Sequence, residues 1–513
     1  MPGPPARTMT TEPKISHNIL ANFGGKLWTA GIAIVFVPIY IRILGAEAYG
    51  LVGFFVSLQL ILSLMEMGLG TTATKEMARL SVSPNSKTVV QMRNLVRTLE
   101  LVYLGLGIIV VSMVFVGSGP LSAHWFKPVT ISPREIGHAI VIMGFVIGVR
   151  MQFSLYSGAL NGLQHQVVLN VITVAFVTVK HLGAVAALLF ISEDITVFFL
   201  WHLFAELGQT ALTRCALKKK LPPSSDKARF QFEQIKGIWR FAAGMTGVAI
   251  TNVVLSQTDK LFVSKVFPLE TFGYYSAMWT IAGGLFFFSY PIAIAAFPRY
   301  AQLWEACDTK NLALFYHRTS RLTATVMLPL GICVLLFSRE ILSIWLGAPQ
   351  QAIALENVLR LLVAGTILNA LFNLPMNLQF ATGWTRLVFY TNLLWLICFP
   401  FTMWWLTSEI GLAGVPTAWL FYNIFAFSLV AYIAHKRLLN EGLSAWYLKD
   451  IGIPLVAGGA VICALFYLIP LPAGTIGQAI AIASCATLGM CGSAATLEAV
   501  RSRLARTLSR WVV

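Results

Sequence analysis

The feature that most constrains this chain is a succession of apolar runs, each about 20 residues or longer, recurring from Ile19 to Met490. A helix of that length spans the hydrocarbon core of a bilayer, whereas a membrane barrel is written in short alternating segments. Of the 513 residues 57% are hydrophobic and 11% charged, against about 25% charged in soluble domains. The fold class is therefore an all-α polytopic membrane protein. About fourteen transmembrane helices are expected: Asn18–Leu44, Ala48–Thr74, Leu95–Gly117, Ile136–Leu160, Val167–Ile191, Ile195–Cys215, Phe241–Phe267, Thr271–Phe297, Thr319–Phe337, Ala354–Ala381, Leu387–Thr407, Leu412–Ala434, Ile451–Ile469 and Ile476–Ala495.

The polar, proline-rich residues 1–17 form an N-terminal tail, and the first apolar run is too long and too glycine-interrupted for a cleaved signal. With that tail in the cytoplasm, the outer segments hold only Arg42, Lys127, Arg134, Lys265 and Arg339. All other basic loop residues fall inside, so both termini are expected to be cytoplasmic. The net charge of +16 is then topological and no nucleic-acid partner is implied. Of seven cysteines, five lie in apolar spans and Cys215 and Cys307 at the cytoplasmic side, so no structural disulfide is expected.

Setting Gly50 on Gly273 exposes an internal repeat with an offset of 223 residues. Leu44-Gly-Ala-Glu-Ala-Tyr-Gly50 falls on Phe267-Pro-Leu-Glu-Thr-Phe-Gly273, and Lys87 falls on Lys310. Six spans separate the starts, so the repeats are parallel. The expectation is two parallel-repeat six-helix lobes around a central cavity, an N-lobe over 18–216 and a C-lobe over 241–435. A cytoplasmic linker over 217–240 joins them. Accessory spans thirteen and fourteen over 451–496 and a basic tail over 497–513 complete the chain.

Polar side chains recur at helical spacing within these spans: Asn18, Asn22, Lys26 and Thr29; Gln59, Ser63, Glu66, Gly70 and Thr74; Arg150, Ser154, Ser157 and Asn161; Asn170, Thr173 and Lys180; His202, Glu206, Gln209 and Thr213. Steps of three and four place them on one face of each helix, which calls for a shared wet interior. In the second half Asn252, Ser256 and Asp259 share a face, Gln257, Lys260 and Ser264 the next, and Arg360 precedes Asn369, Asn373 and Asn377. Ionisable groups at such depth are expensive and mark functional sites. Lys26 and Glu66 are equally placed to form a structural ion pair, Lys260 and Arg360 to snorkel to the interface, and Glu100 to be a solvated helix end. His202 reads as a packing residue and Gly158-x-x-x-Gly162 as a packing signal.

Lys26, Arg150, Lys180, Lys260 and Arg360 outnumber Glu66, Glu206 and Asp259. A net cationic interior favours an anion such as a phosphate or diphosphate headgroup. No phosphate loop, no His-Glu-x-x-His and no cluster with metal-ligand spacing is present, so no catalytic residue, metal or cofactor is expected. Short outer loops speak against a membrane glycosyltransferase or glycan polymerase. Polar faces on so many helices speak against a scaffold.

These features resemble the polysaccharide (O-antigen-type) flippases of the multidrug/oligosaccharidyl-lipid/polysaccharide exporter superfamily. The residues that carry the resemblance are Leu44-Gly-Ala-Glu-Ala-Tyr-Gly-Leu51 and Glu66-Met-Gly-Leu-Gly-Thr-Thr-Ala-Thr-Lys-Glu76, Arg150 through Asn161-Gly-Leu-Gln-His165, and Asp259 through Tyr275. The resemblance implies a bacterial inner-membrane protein moving an undecaprenyl-diphosphate-linked oligosaccharide to the outer leaflet by alternating access, coupled to H+ or Na+. It implies headgroup binding by Lys26, Arg150, Lys180 and Asn161, with Lys260 and Arg360 as further cations. Asp259, Glu66 and Glu206 are candidates for ion coupling or gating. Membrane lipids, a polysaccharide polymerase and other assembly proteins are the implied partners. The lipid tail is expected in the bilayer beside spans thirteen and fourteen. A multidrug exporter of the same superfamily is the alternative, against which the cationic balance speaks.

Asp259 and Lys260 are about 100° apart on their helix, so they are not expected to share one partner. The repeat puts Phe36 and Val37 in their places, making the charge pair a feature of the second repeat alone.

Overall fold

A computed structural model describes residues 15–66, 68–82, 85–224, 226 and 228–497. Most of the N-terminal tail and all but the first residue of the basic C-terminal tail lie outside them, as do the side chains of Asn18 and Asn22. All regular secondary structure among the described residues is helical. Among the described residues ten helices are long and apolar enough to cross a membrane, or eleven with one bent pair counted as a span. Two of the ten stretches run 43 and 54 residues, each long enough for two crossings. Contacts divide the chain into two compact units.

The first unit draws on Met1–Ala33, Leu62–His124 and Ser132–Thr246. Its helices are the start of α1 (Ile15–Ser63), then α2 (Leu69–Ser81), α3 (Ser86–Pro120), α4 (Pro133–Gly162), α5 (Gln166–Phe190) and α6 (Ile195–Lys220). Helix α1 breaks at Gly45, whose φ of 83° belongs to the left-handed half of the map that glycine enters without a Cβ penalty. That break separates the first two expected spans. The second expected span is itself interrupted. A 3-10 turn over Leu64–Glu66 precedes Gly68 at φ 73°, and α2 starts afresh with the Thr72 amide and the Thr71 and Thr72 hydroxyls bonded to the Gly68 carbonyl. Glu66 therefore sits at a helix break and not on a continuous polar face. Helix α2 lies close against α4, because a Cβ on Gly158 would stand 2.5 Å from the Gly70 carbonyl oxygen and one on Gly162 2.4 Å from that of Thr74. The Gly158-x-x-x-Gly162 signal is thus a packing device, and Thr74 adds a hydrogen bond of 2.9 Å to the Gly158 carbonyl.

The second unit draws on Ile34–Ile61, Trp125–Ile131 and Gly247–Val513. Its helices are the end of α7 (Phe232–Val266), then α8 (Leu269–Gly284), α9 (Phe286–Glu305), α10 (Thr309–Leu336), α11 (Ser338–Leu346), α12 (Pro349–Ala381), α13 (Arg386–Ile410) and α14 (Gly414–Phe425). The chain then alternates π-helical turns with the short α15 (Ala431–Ala434) and α16 (Leu443–Ala445) before α17 (Ile453–Leu468) and α18 (Thr475–Ala494). The eighth expected span is bent by 44° between α8 and α9. Buried Glu47 accepts hydrogen bonds from the Val129 amide at 2.6 Å and the Thr130 amide at 3.0 Å. The Trp125 indole donates to Ser264 Oγ at 3.0 Å, and these bonds fasten residues 125–131 to the unit. Phe190 of the first unit and Phe401, Trp404 and Tyr467 of the second stand exposed, the surface lipid tails would cover.

The 223-residue offset has local structural counterparts. It carries the break at Gly45 onto Pro268, the residue before α8. It carries Asn85, which caps α3 in a reciprocal box with Thr88, onto Asp308, which caps α10 by accepting from the Asn311 amide. Caps of this kind are each worth about 1 kcal/mol, and here they begin two helices at equivalent repeat positions. Gly50 and Gly273, which set the alignment, meet each other. A Cβ on Gly273 would stand 1.8 Å from the Ala46 carbonyl oxygen and 3.1 Å from the Gly50 nitrogen.

Candidate functional site

In the first unit the charges of three helices converge. Lys180 projects from the middle of α5 and is 9% exposed; Glu206 and Gln209, three residues apart on α6, are each 2% exposed. The Lys180 ammonium donates to Glu206 Oε2 and, at 2.8 Å, to Gln209 Oε1. Arg150 on α4 places Nη1 3.5 Å from Glu206 Oε1, an oxygen with no hydrogen-bond partner. One buried carboxylate thus bridges two cations and leaves the cluster with an excess positive charge. A lysine has three donors, and two of Lys180's are committed. Arg150, with its side chain 44% exposed, is the accessible member. One turn further along α4, Ser154 donates to Glu66 Oε2 at 2.6 Å.

Other expected residues separate from this cluster. Lys26 is exposed, and among the described residues no ion pair joins it to Glu66. Asn161 lies in the last turn of α4, half-buried, with its carbonyl accepting the Gln164 amide at 3.0 Å. Glu100 is not a solvated helix end. It is 9% exposed, accepts from Arg214 at 2.7 Å and Tyr156 at 3.0 Å, and lies 3.5 Å from Arg97. His202 is satisfied by the Phe198 carbonyl at 3.0 Å.

The second unit holds the other charge pair. Asp259 is 2% exposed and accepts from Tyr275 at 2.7 Å, the Trp279 indole at 2.6 Å and Lys260 at 3.2 Å. The expectation that Asp259 and Lys260 share no partner is overturned. Lys260 folds back along the helix to the Ser256 carbonyl at 3.0 Å, which brings its ammonium 3.8 Å from the centre of the Trp279 ring. The indole offers its N–H edge to the carboxylate and its face to the cation, so one residue serves both directions. Lys260 does not snorkel outward. Arg360 is tied to structure as well, donating to the Leu335 carbonyl at the end of α10 at 3.1 Å and lying 3.7 Å from Glu356.

Beside this pair lies a cavity of about 480 Å³, walled by Lys260, Trp279, Asn369, Asn373, Trp419 and Tyr422 among others. From sequence, Tyr275 enters only as the end of the segment carrying the resemblance, and Trp279 not at all. Their spacing of four, two aromatic side chains with polar tips on one face of the helix after span seven, is the signal that was there to read. Among the described residues no group of three or more His, Cys, Asp or Glu side chains is arranged to hold a metal.

Together these features define a multi-pass helical membrane protein with buried charge clusters. A solved structure titled lipid II flippase MurJ, inward closed conformation, superposes with a TM-score of 0.69 at 12% identity, covering 94% of this chain and 98% of the other. An inward-facing multidrug resistance MATE family transporter of the MOP superfamily gives 0.65 at 13% identity, over 80% and 94%. At such identities the likeness is one of fold. Residues 15–304 match the family described as polysaccharide biosynthesis protein, and the chain belongs to it; residues 245–404 also match the MatE family. A Shigella flexneri protein named as an O-antigen transporter is 26% identical over 190 residues, 37% of this chain and 44% of that protein. The succinoglycan biosynthesis transport protein ExoT of Rhizobium meliloti (strain 1021) is 24% identical over 330 residues, 62% and 59%. The chain thus spans about half the length of the curated relatives it matches.

Proposed function

We propose that this protein is a flippase, not an enzyme, that carries an undecaprenyl-diphosphate-linked oligosaccharide from the cytoplasmic to the outer leaflet of a bacterial inner membrane by alternating access. The observation that carries the reading is the excess positive charge of the Arg150–Glu206–Lys180 cluster in a chain of the polysaccharide biosynthesis family. An arginine fork, desolvated on one side and half-exposed on the other, suits a diphosphate oxygen pair. Relatives named for O-antigen and succinoglycan transport support the substrate class. Both termini are cytoplasmic in this reading.

Coupling to H+ or Na+ falls to the carboxylates Glu206 and Asp259, buried beside the cations whose charge they balance, and to half-buried Glu66, which accepts from the Ser154 hydroxyl. An apolar pocket of about 310 Å³ between Cys333 and Trp345 on one side and Ile482 and Ala486 on the other suits the lipid tail. A polysaccharide polymerase and other assembly proteins would receive the product.

The match of residues 245–404 to the MatE family favours multidrug export as a second reading. Deleting the gene separates the two. The flippase reading expects lipid-linked oligosaccharide to accumulate on the cytoplasmic leaflet. Unchanged lipid-linked intermediates together with increased dye retention would replace it with drug export.

A further inference from the structure

The cavity in the second unit has a chemistry of its own. Its volume of about 480 Å³ falls within the roughly 300–1,000 Å³ of small-molecule sites. Three aromatic rings form one part of its wall. Trp279 and Trp419 have centroids 5.6 Å apart at 64°, and Tyr422 lies 5.6 Å from Trp419 at 30°. Trp419 is seated close against α12, where a Cβ on Gly365 would stand 2.4 Å from the indole Cδ1. Amide side chains form another part. Asn369 is held by its bond to Asn423 at 2.8 Å, whereas Gln257 and Asn373 are 4% and 5% exposed.

Several polar atoms of this wall have no partner in the protein. They are Gln257 Oε1, Asn373 Nδ2 and Trp419 Nε1, on three different helices. Folded proteins pair their buried polar groups almost without exception, and an unpaired one in a native site calls for an explanation. The Trp419 N–H edge is the one packed against α12, where a Cβ on Gly365 would stand 2.7 Å from Nε1, but neither that packing nor the Asp259–Lys260 pair uses Gln257 Oε1 or Asn373 Nδ2. An acceptor and an amide donor, set beside flat aromatic faces, suit a ligand with hydroxyl groups on its rim and an apolar face. A pyranose ring has that character: its hydroxyls both donate and accept, and its ring C–H groups present an apolar surface to an aromatic plane.

We propose that this cavity is a glycan subsite, taking sugar rings of the transported oligosaccharide separately from the cationic cluster that takes its diphosphate. The assignment rests on the flippase reading above and adds where the sugar is recognised.

The test uses the full-length protein in nanodiscs and two probes. One is phosphate-free oligosaccharide released by mild acid from the host's lipid-linked pool; the other is inorganic diphosphate. Wild type binds both. Asn373→Leu and Gln257→Met remove the unpaired groups at similar volume, so each lowers oligosaccharide affinity at least about tenfold and leaves diphosphate affinity unchanged. Because Asn373 Nδ2 makes no protein hydrogen bond, Asn373→Leu retains or raises the thermal midpoint, whereas a merely structural role would lower it; Gln257→Met also loses the 3.1 Å bond from Gln257 Nε2 to Ser256 Oγ and is read on affinity alone. Trp419→Leu, which removes the flat aromatic face, weakens oligosaccharide binding in the same direction. Wild-type oligosaccharide affinity in Asn373→Leu and Gln257→Met, or binding of diphosphate alone by wild type, overturns the subsite and leaves the flippase reading standing. Failure of wild type to bind either probe overturns both.

Discussion

The indole N–H of Trp279 donates to Asp259 Oδ2 at 2.6 Å, from a ring whose face lies 3.8 Å from the Lys260 ammonium. Asp259 also accepts from Tyr275 and Lys260, so an almost fully buried carboxylate is stabilised by three donors, one of them charged. Asp259→Asn keeps the shape, removes the charge and leaves Lys260 without its counter-ion. Hydrogen bonds to charged groups are worth about 1.5–3 kcal/mol each, so the variant should be less stable by about 2–3 kcal/mol in detergent unfolding. If Asp259 couples transport to an ion, the same variant also loses the dependence of export on the ion gradient. Gradient-dependent export at wild-type rate would assign Asp259 to structure alone.

The Lys180–Glu206 pair gives a sharper separation of structure from function. Removing one member of a buried pair strands the other charge and costs about 3–5 kcal/mol, whereas replacing both by apolar groups of similar volume is often neutral. Glu206→Gln should therefore lower the thermal midpoint strongly. The double variant Lys180→Met with Glu206→Leu should recover most of that stability and still fail to export glycan. Export by the stable double variant would show that the pair is only a brace.

How much of this was legible in the sequence differs by level. The apolar runs were enough for a helical membrane protein, because a bilayer admits few other backbone solutions. The repeat was readable from Gly50 and Gly273, and its offset predicts the equivalent caps Asn85 and Asp308. The break at Gly68 was missed, since hydropathy does not register a single left-handed residue inside an apolar run. Side-chain partners were the least legible. Lys26 and Glu66 have complementary charge and similar depth, yet Glu66 takes the Ser154 hydroxyl. The about 100° separation of Asp259 and Lys260 describes Cα directions, and a long lysine chain reaching back to the Ser256 carbonyl overrides it.

The crossing of Gly50 and Gly273 makes a prediction about stability alone. A Cβ at Gly273 would lie 1.8 Å from the Ala46 carbonyl oxygen and one at Gly50 2.6 Å from that of Leu269. Backbone atoms cannot swing aside, so Gly273→Ala and Gly50→Ala should each cost at least about 1–3 kcal/mol by overpacking. Gly105→Ala on α3 is the control, because its added methyl meets nothing within 4 Å. It should be neutral or stabilising, as alanine favours a helix over glycine by about 1 kcal/mol. Equal unfolding midpoints for Gly273→Ala and Gly105→Ala would remove the close crossing from the account.

Arg150 and Arg360 look alike in sequence, each an arginine within an apolar span, but their surroundings differ. Arg360 uses Nε on the Leu335 carbonyl and lies 3.7 Å from Glu356, a position that braces the end of α10. Arg150 has one ion-pair contact, 3.5 Å from Glu206, and keeps the rest of its fork half-exposed. Arg150→Gln should reduce glycan export at least about tenfold at normal protein level, the loss of one charged contact worth roughly 1.4 kcal/mol or more. Arg150→Lys keeps the charge but not the bidentate fork and should restore only part of the activity. Arg360→Gln should lower stability slightly and leave export near wild type. Complementation of a deletion strain, normalised to membrane protein level, decides among them. Full export in Arg150→Gln would remove the cationic cluster from substrate binding, and an export defect confined to Arg360→Gln would move the anion site to the second unit.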